Sequence, residues 1–173
     1  RSLTRQYEEK MLEFRRRIHT HPELSGEERE TAALVASVVE ECGIEVQSGV
    51  GGHGVVGVLR GGDKGPCVAL RADMDALPME EKTGLPWASE VKGVMHACGH
   101  DAHTAMLLGA ALVLAEMKDE LPGMIKFIFQ PAEEANPVGG APAMIRQGVL
   151  KSPDVDAIFG MHVWPSLVTG TVG

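Results

Sequence analysis

Apolar residues recur every three or four positions near the start of the chain, which is the spacing of one helix face. They predict an amphipathic helix over residues 3–20, which His21-Pro22 ends. Charged residues fill the other face, so we interpret Arg15-Arg16-Arg17 as a solvated surface rather than a nucleic-acid site. The apolar face consists of Leu3, Tyr7, Met11, Phe14 and Ile18.

A second helix is predicted to follow Ser25. Ser25 and Glu28 have the three-residue spacing of a capping box, and Gly43 is typical of a helix end. The apolar stripe between them consists of Leu34, Val35, Val38, Val39 and Cys42.

Runs rich in β-branched and aromatic residues predict strands farther along the chain. The glycine-rich turn at residues 61–66 predicts that the second and third of these strands form a hairpin. The predicted strands are 44–46, 54–60, 67–73, 124–130 and 155–162.

Two further helices are predicted between the strands, over residues 101–117 and 143–150. The first is apolar nearly all round, so we expect it to be buried between layers. Helices that alternate with strands predict the α/β class, with a three-layer open mixed sheet and helices on both faces. No apolar run approaches the ~18 residues that a membrane span needs.

Composition narrows the possible partners and compartments. The net charge of −8 argues against nucleic acid or an anionic membrane as a partner, because both attract clustered Lys and Arg. The three cysteines are an odd number and form no CxxC pair. They fit a reducing compartment better than a disulfide framework, so a cytoplasmic location is predicted.

Side chains that can bind metals follow three of the predicted strands. Asp73 and Asp75 come at the end of the third strand. Glu133 and Glu134 follow the fourth, and His162 ends the fifth. In open α/β sheets the segments that follow the strands meet at one edge, so we expect these side chains to lie together.

The stretch HACGHDAH, residues 96–103, is expected to join them. It leads into the buried helix, and the N-terminus of such a helix normally lies at the same edge of the sheet. Cys98 and His100 would then add sulfur and nitrogen ligands to the carboxylates. Mixed ligands indicate a catalytic metal centre, because structural zinc sites are usually closed by four Cys or His side chains.

A thiol nucleophile is the alternative interpretation of this stretch. Cys98 would attack the substrate with a neighbouring histidine, His96, His100 or His103, as its base. This interpretation gives no catalytic role to the carboxylates that follow the strands.

The adjacent pair Glu133 and Glu134 suits metal-assisted hydrolysis. Neighbours in extended backbone point in different directions, so one carboxylate can bind a cation while the other reaches a water molecule. The cation makes the water more acidic, and the second carboxylate takes its proton. Asp75 can orient a ligating imidazole from behind.

Six segments, in this order, closely resemble the amidohydrolase branch of the aminoacylase and carboxypeptidase metallopeptidases. That branch includes hippurate hydrolases, N-acyl-amino-acid amidohydrolases and auxin-conjugate hydrolases. The segments are RRRIHTHPELSGEE, LRADMDALPM, GVMHACGHDAHTAMLLGAA, FIFQPAEE, GGAPAMIRQGVL and GMHVWP.

The resemblance implies a centre with two divalent metal ions, zinc or manganese. The implied metal ligands are Cys98 as a bridging thiolate, His100, Glu134 and His162. Glu133 is implied as the general base and Asp75 as a supporting residue. The implied reaction is hydrolysis of the amide bond of a small-molecule N-acyl amino acid, and the implied assembly is a dimer or tetramer.

Members of this family are more than twice as long as the present chain. Their zinc-exopeptidase-like catalytic domain is interrupted by an inserted lid and dimerisation domain, and the chain then returns and supplies a further histidine ligand. Residues 1–173 are therefore expected to be the N-terminal part of the catalytic domain, with the lid and the return outside it. The alternative function is a fragment that binds metal or a partner without turnover.

Overall fold

The structure is a computed structural model that describes residues 2–135 and 137–173. Within these residues one open sheet has the strand order β1-β2-β4-β3-β5. β2 is antiparallel to both β1 and β4, whereas β3 is parallel to both β4 and β5. The strands are β1 (Glu45–Val50), β2 (Gly54–Arg60), β3 (Cys67–Asp73), β4 (Met124–Gln130) and β5 (Ala157–Gly160). The predicted mixed sheet is confirmed.

Helices cover both faces of the sheet, as predicted. Neighbouring residues of β2 point to opposite faces, so Val55 packs in the core beneath α3 and α4, whereas Val56 packs with Met144 of α5. The helices are α1 (Ser2–Gln6), α2 (Glu8–Thr20), α3 (Arg29–Glu41), α4 (His100–Glu116) and α5 (Ala141–Arg146), with a 3-10 turn at Lys118–Glu120. Among the described residues, no helix combines the length and apolar character that crossing a membrane requires.

Helix α4 forms the centre of the larger core, which confirms its predicted burial. Leu108 and Ala111 are fully buried against the sheet residues Phe127 and Phe129. On its other side α4 packs against α2, which lies farther from the sheet. This arrangement fixes the N-terminus of α4, which begins within the sequence HACGHDAH, near the carboxyl end of β3.

The predicted hairpin between β2 and β3 is wrong, because β4 lies between these two strands. The hairpin joins β1 and β2 instead. Residues 61–66 pass across the start of β4, where Gly61 N–H donates to the Gly123 carbonyl at 3.1 Å and Met124 N–H to the Pro66 carbonyl at 3.0 Å. A Cβ at Gly61 would lie 2.6 Å from the Leu121 carbonyl oxygen, so this close crossing requires glycine.

Several predicted elements have different ends in the structure, among them the strand predicted over 44–46, which is Glu45–Val50. The predicted 3–20 helix is interrupted at Tyr7 between α1 and α2, although the Met11 N–H still donates to the Tyr7 carbonyl. The helix predicted over 143–150 is α5, which ends before Gly148, where φ is +83°. The last strand is shorter than 155–162, so His162 lies two residues beyond β5.

A buried lysine fixes the segment between α5 and β5. Lys126 of β4 is only 2% exposed, and its Nζ donates to the carbonyls of Val149, Lys151 and Pro153 at 2.9–3.0 Å. Burial lowers the pKa of this ammonium group. The three carbonyls therefore hold the ammonium group in place, and Lys126 in turn fixes the segment that carries them.

Replacing Lys126 by methionine should destabilise the fold by about 3 kcal/mol, because one buried and two part-buried carbonyls lose a charged donor. Urea unfolding of the two proteins measures this difference. Lys151→Met is the matched control, since the ion pair of Lys151 with Asp154 is exposed at both partners. We expect the control to change the unfolding free energy by less than about 0.5 kcal/mol; equal changes in the two variants would contradict the role of Lys126.

Candidate metal centre

The parallel pairing of β3 and β4 brings two acidic segments to the same edge of the sheet. Asp73 is the register partner of Gln130, so the residues that follow each strand continue side by side. Asp75 then lies close to Glu134, whose backbone N–H donates to Asp75 Oδ2 at 2.9 Å. Ala132 turns the chain after β4 with a φ of +52°, a strained value for alanine that brings Glu133 and Glu134 back over the sheet edge.

His100 is the first residue of α4 and is fully buried. Its Nδ1 lies 2.8 Å from the Asp75 carbonyl oxygen and 3.3 Å from Asp75 Oδ1, so Nδ1 carries a proton and donates it. Its Nε2 has no hydrogen-bond partner among the described residues and lies 3.8 Å from Glu133 Oε2 and 3.9 Å from Glu134 Oε1. A buried imidazole nitrogen that faces carboxylates in this way is suited to a cation that they share.

Cys98 and His162 approach the same place from other segments. Cys98 Sγ lies 3.4 Å from His162 Nε2. The Nδ1 of His162 donates to the Val163 carbonyl at 2.6 Å, so Nε2 is free to face the thiol. The arrangement resembles that of His100, since in both imidazoles Nδ1 is bonded to a backbone carbonyl and Nε2 faces the cluster.

Three overlapping groups of side chains could hold a metal ion, and His100 belongs to all of them. Within each group the ligand atoms lie within 4.8 Å of one another. The groups are Cys98, His100 and His162; His100, Glu133 and Glu134; and Asp73, His100 and His103. The structure therefore brings together every ligand predicted from the sequence, and it adds Asp73 and His103.

The thiol of Cys98 is poorly suited to act as a free nucleophile. Burial, together with a hydrogen bond to Glu134 and its negative charge, raises the pKa of Cys98 to about 12. A reactive thiolate requires the opposite environment, with a lowered pKa beside positive charge. Within the described residues His96 also has no hydrogen-bond partner that would make it a base, and burial lowers its pKa to about 4.

Asp75 lies behind the cluster and is bonded to two of its members, His100 and Glu134. Its carboxylate accepts hydrogen bonds from the Ser25 hydroxyl at 2.6 Å and from Glu134 N–H. Burial raises the pKa of Asp75, but hydrogen bonds from His100, Ser25 and the backbone outweigh burial and bring the pKa to about 2. One carboxylate thus orients a candidate ligand and fixes the backbone of another.

The predicted capping box is wrong, and its two residues serve the site instead. The Ser25 hydroxyl donates to Asp75, and the buried Glu28 carboxylate accepts Ala132 N–H at 2.7 Å, which holds the strained turn before Glu133. Helix α3 begins at Arg29 and is capped from a distance by Glu23, which accepts two of its first N–H groups. No local spacing identifies Ser25 or Glu28 as site residues, because their partners lie 50 and 104 positions away.

Asp101 does not join the cluster, although it directly follows His100. Its carboxylate bonds to His19 Nδ1 at 2.8 Å and to Arg15 Nε at 3.1 Å, which fastens α4 to α2. Successive residues of a helix point about 100° apart, so Asp101 faces away when His100 faces the cluster. Asp101 therefore positions the start of α4 rather than contributing a ligand.

Comparison with known proteins agrees with this geometry. Residues 69–173 match the model of peptidase family M20/M25/M40. The chain belongs to this family. The M20 chain is 52% identical over 165 residues to a probable hydrolase of Synechocystis, covering 95% of the chain and 41% of that protein. It is 50% identical over 166 residues to an N-acetyl-L-cysteine deacetylase of Bacillus subtilis, covering 96% of the chain and 39% of that protein.

The fold of the M20 chain also matches a solved relative. A dinuclear metal-binding peptidase of the M20 family from Bacillus subtilis superposes with a TM-score of 0.87 at 45% identity, over 94% of this chain and 45% of that one. The predicted family and fold class are thereby confirmed. The chain spans about 40% of the length of the curated relatives that it matches.

Removing the charge of Asp75 should change how the stability of the chelator-treated protein depends on pH. A carboxyl whose folded pKa is lowered stabilises the fold above its unfolded pKa of about 3.9, and this stability is lost as pH falls through about 2. The Asp75→Asn variant should thus be less stable than the parent by about 2 kcal/mol at pH 6, and the gap should close near pH 2.

Chemical denaturation across this pH range measures the gap. Asp63→Asn, in the exposed part of the 61–66 connection, is the control and should follow the parent at every pH. A gap between parent and Asp75→Asn that stays constant down to pH 2 would show that the charge of Asp75 does not stabilise the fold.

Proposed function

We propose that this chain is part of a metal-dependent amidohydrolase that cleaves the amide bond of N-acyl amino acids. The observation that carries the proposal is the buried Nε2 of His100, which has no hydrogen-bond partner among the described residues and lies beside three carboxylates, a thiol and a second imidazole. The deacetylase among the relatives, which its name assigns to an N-acetyl amino acid, supports this substrate class.

We propose that the protein holds two divalent ions. The proposed ligands are Cys98, His100, Glu134 and His162. Thiolate and imidazole donors favour zinc, whereas a carboxylate with imidazoles accepts manganese as well. When bound, the ions would polarise the acyl carbonyl and lower the pKa of water to near neutrality.

Glu133 is proposed as the general base, and its difference from Glu134 supports this assignment. The backbone of Glu134 is fixed by Asp75 and its side chain is only 23% exposed, as suits a ligand that must not move. The side chain of Glu133 is 39% exposed and reaches the cluster from the open side. Glu133 can therefore take a proton from water at the cluster and deliver it to the departing amino nitrogen.

The proposal concerns the whole protein, because the chain spans about 40% of its relatives' length. Residues 1–173 are proposed as the N-terminal part of the catalytic domain, with the lid and dimerisation domain and the catalytic return outside these residues. The protein is still predicted to be an oligomeric, cytoplasmic enzyme. Its unpaired cysteines Cys42, Cys67 and Cys98 suit a reducing compartment. Metal binding without turnover is the second candidate for these residues taken alone.

The Glu133→Gln variant should keep its metal and lose turnover. Glutamine has nearly the same shape but cannot accept the proton, so kcat should fall by about 100-fold or more while metal content stays unchanged. Elemental analysis after dialysis and hydrolysis of N-acetyl amino acids and hippurate measure the two quantities. Glu13→Gln, on the exposed face of α2, is the control. An unchanged kcat in Glu133→Gln would remove Glu133 from the mechanism.

Chelation should distinguish the metal mechanism from the thiol mechanism. A metal-dependent enzyme loses activity on treatment with a chelator and regains it with zinc or manganese, whereas a thiol hydrolase survives chelation. Alkylation of Cys98 should be slow in the loaded enzyme, since a coordinated thiolate is shielded, and faster after chelation. Activity that persists without metal and disappears on alkylation would favour the thiol alternative.

A further inference from the structure

His162 differs from the other proposed ligands in how its position is fixed. It is exposed and lies beyond β5 in a segment without helix or strand. Its own Nδ1 bonds only to the carbonyl of the next residue, so it has no anchor elsewhere in the chain through that atom. The contacts that fix this segment are made by its neighbour, Val163.

Val163 is held by two residues of the Cys98-to-His103 segment. The Val163 N–H donates to His103 Nε2 at 3.0 Å. The Val163 side chain occupies the space over Gly99, where a Cβ would overlap its Cγ2. Gly99 also has a φ of +88° at the start of α4, so both its conformation and its lack of a side chain are required.

We infer that His103 is a positioning residue, which together with Gly99 forms a seat for Val163 and thereby aims His162 at Cys98. The inference rests on the proposed metal centre. It assigns to His103 a role other than ligand, although His103 belongs to one of the groups that could hold an ion.

The hydrogen bonds of His103 determine its tautomer. A backbone N–H can only donate, so His103 Nε2 must be the acceptor and carry no proton. The proton is then on Nδ1, which lies 2.5 Å from Asp73 Oδ1, and that buried carboxylate can accept it. Both ring nitrogens are thus occupied by protein partners, and no lone pair is left for a metal ion.

The ring of His103 also restricts the ring of His162 directly. The two centroids lie 4.5 Å apart with the rings at 73°, and Trp164 lies edge-on to His162 at 6.0 Å. An edge-to-face contact limits rotation of the exposed imidazole about its side-chain bonds. The same residue therefore fixes both the backbone next to His162 and the plane of its ring.

Nuclear magnetic resonance on the full-length protein tests the assignment directly. Histidine labelled at its ring nitrogens is incorporated, and the protein is loaded with the spin-half isotope of cadmium, which binds thiolate and imidazole. We expect one-bond cadmium–nitrogen coupling at His100 and His162 and none at His103, which should keep its proton on Nδ1. Coupling at His103, or a proton on its Nε2, would overturn the inference. Absence of coupling at His100 and His162 would instead overturn the proposed metal centre. His103 and Gly99 would then have no ligand to position.

A pair of variants tests whether the acceptor atom matters. His103→Gln places an amide oxygen near the position of Nε2 and can still accept from Val163, whereas His103→Asn can replace only the Nδ1 donor to Asp73. Metal affinity should stay within about three-fold in His103→Gln and weaken by about 10–100-fold in His103→Asn. A purely structural role would affect both alike, so equal losses, or no loss in either, would refute the acceptor role.

A double-mutant cycle tests the Gly99 half of the seat without changing His103. Gly99→Ala should weaken metal binding because its Cβ displaces Val163, and also because alanine disfavours a positive φ. Adding Val163→Ala removes the Cγ2 that the new Cβ meets and leaves the nearest Val163 atom, Cβ, at 3.8 Å. The double variant should therefore bind metal more tightly than Gly99→Ala alone, and strictly additive effects would mean that the two residues do not act together.

Discussion

The parallel pairing of β3 with β4 on one side and β5 on the other is the constraint on which the site depends. Parallel strands end at the same edge of a sheet, so residues that follow each of them are brought together whatever their separation in sequence. Asp73 pairs with Gln130 and Arg71 with Gly160, which sets the positions from which Glu133 and His162 leave the sheet. A shift of this register by one residue would turn Asp73 to the opposite face of the sheet.

The polar network around this edge has a common pattern. Three of the four proposed ligands have a second polar group bonded to the protein, which restricts the direction in which the ligand atom points. Nδ1 of His100 bonds to the Asp75 carbonyl, Nδ1 of His162 to the Val163 carbonyl, and the backbone of Glu134 to the Asp75 carboxylate. The directions of these three ligands are thus determined by hydrogen bonds made outside the cluster, as is common around metal sites.

Hydrophobic periodicity predicted the layers and the strands, and the positions of polar residues after those strands predicted the cluster. These predictions succeeded because burial of apolar faces and the common edge of parallel strands are global requirements that the sequence must meet everywhere. The two local signals failed. The 61–66 turn has hairpin composition, but strand β4 separates its ends. Ser25 and Glu28 have capping-box spacing, but distant partners use both side chains.

The failure of the capping-box prediction has a physical cause. A capping hydrogen bond contributes about 1 kcal/mol, whereas a buried carboxylate such as Asp75 that loses a donor costs more than that. The Ser25 hydroxyl therefore donates to the Asp75 carboxylate, and the Glu23 carboxylate caps α3. The supporting residues of the site could not be found from the sequence alone because their identity depends on which acceptors folding has buried.

The excess of negative charge at the sheet edge contributes to two pKa shifts, those of His100 and Cys98. Burial lowers the pKa of His100, but the hydrogen bonds and charges of Asp73 and Asp75 more than compensate and raise it. Burial and the charges of Glu134 and Glu133 raise the pKa of Cys98. Neighbouring carboxylates favour the protonated forms of both groups, and a proton on either occupies an atom that a cation would need. A divalent cation at this centre would therefore compete with protons, so its binding would depend on pH.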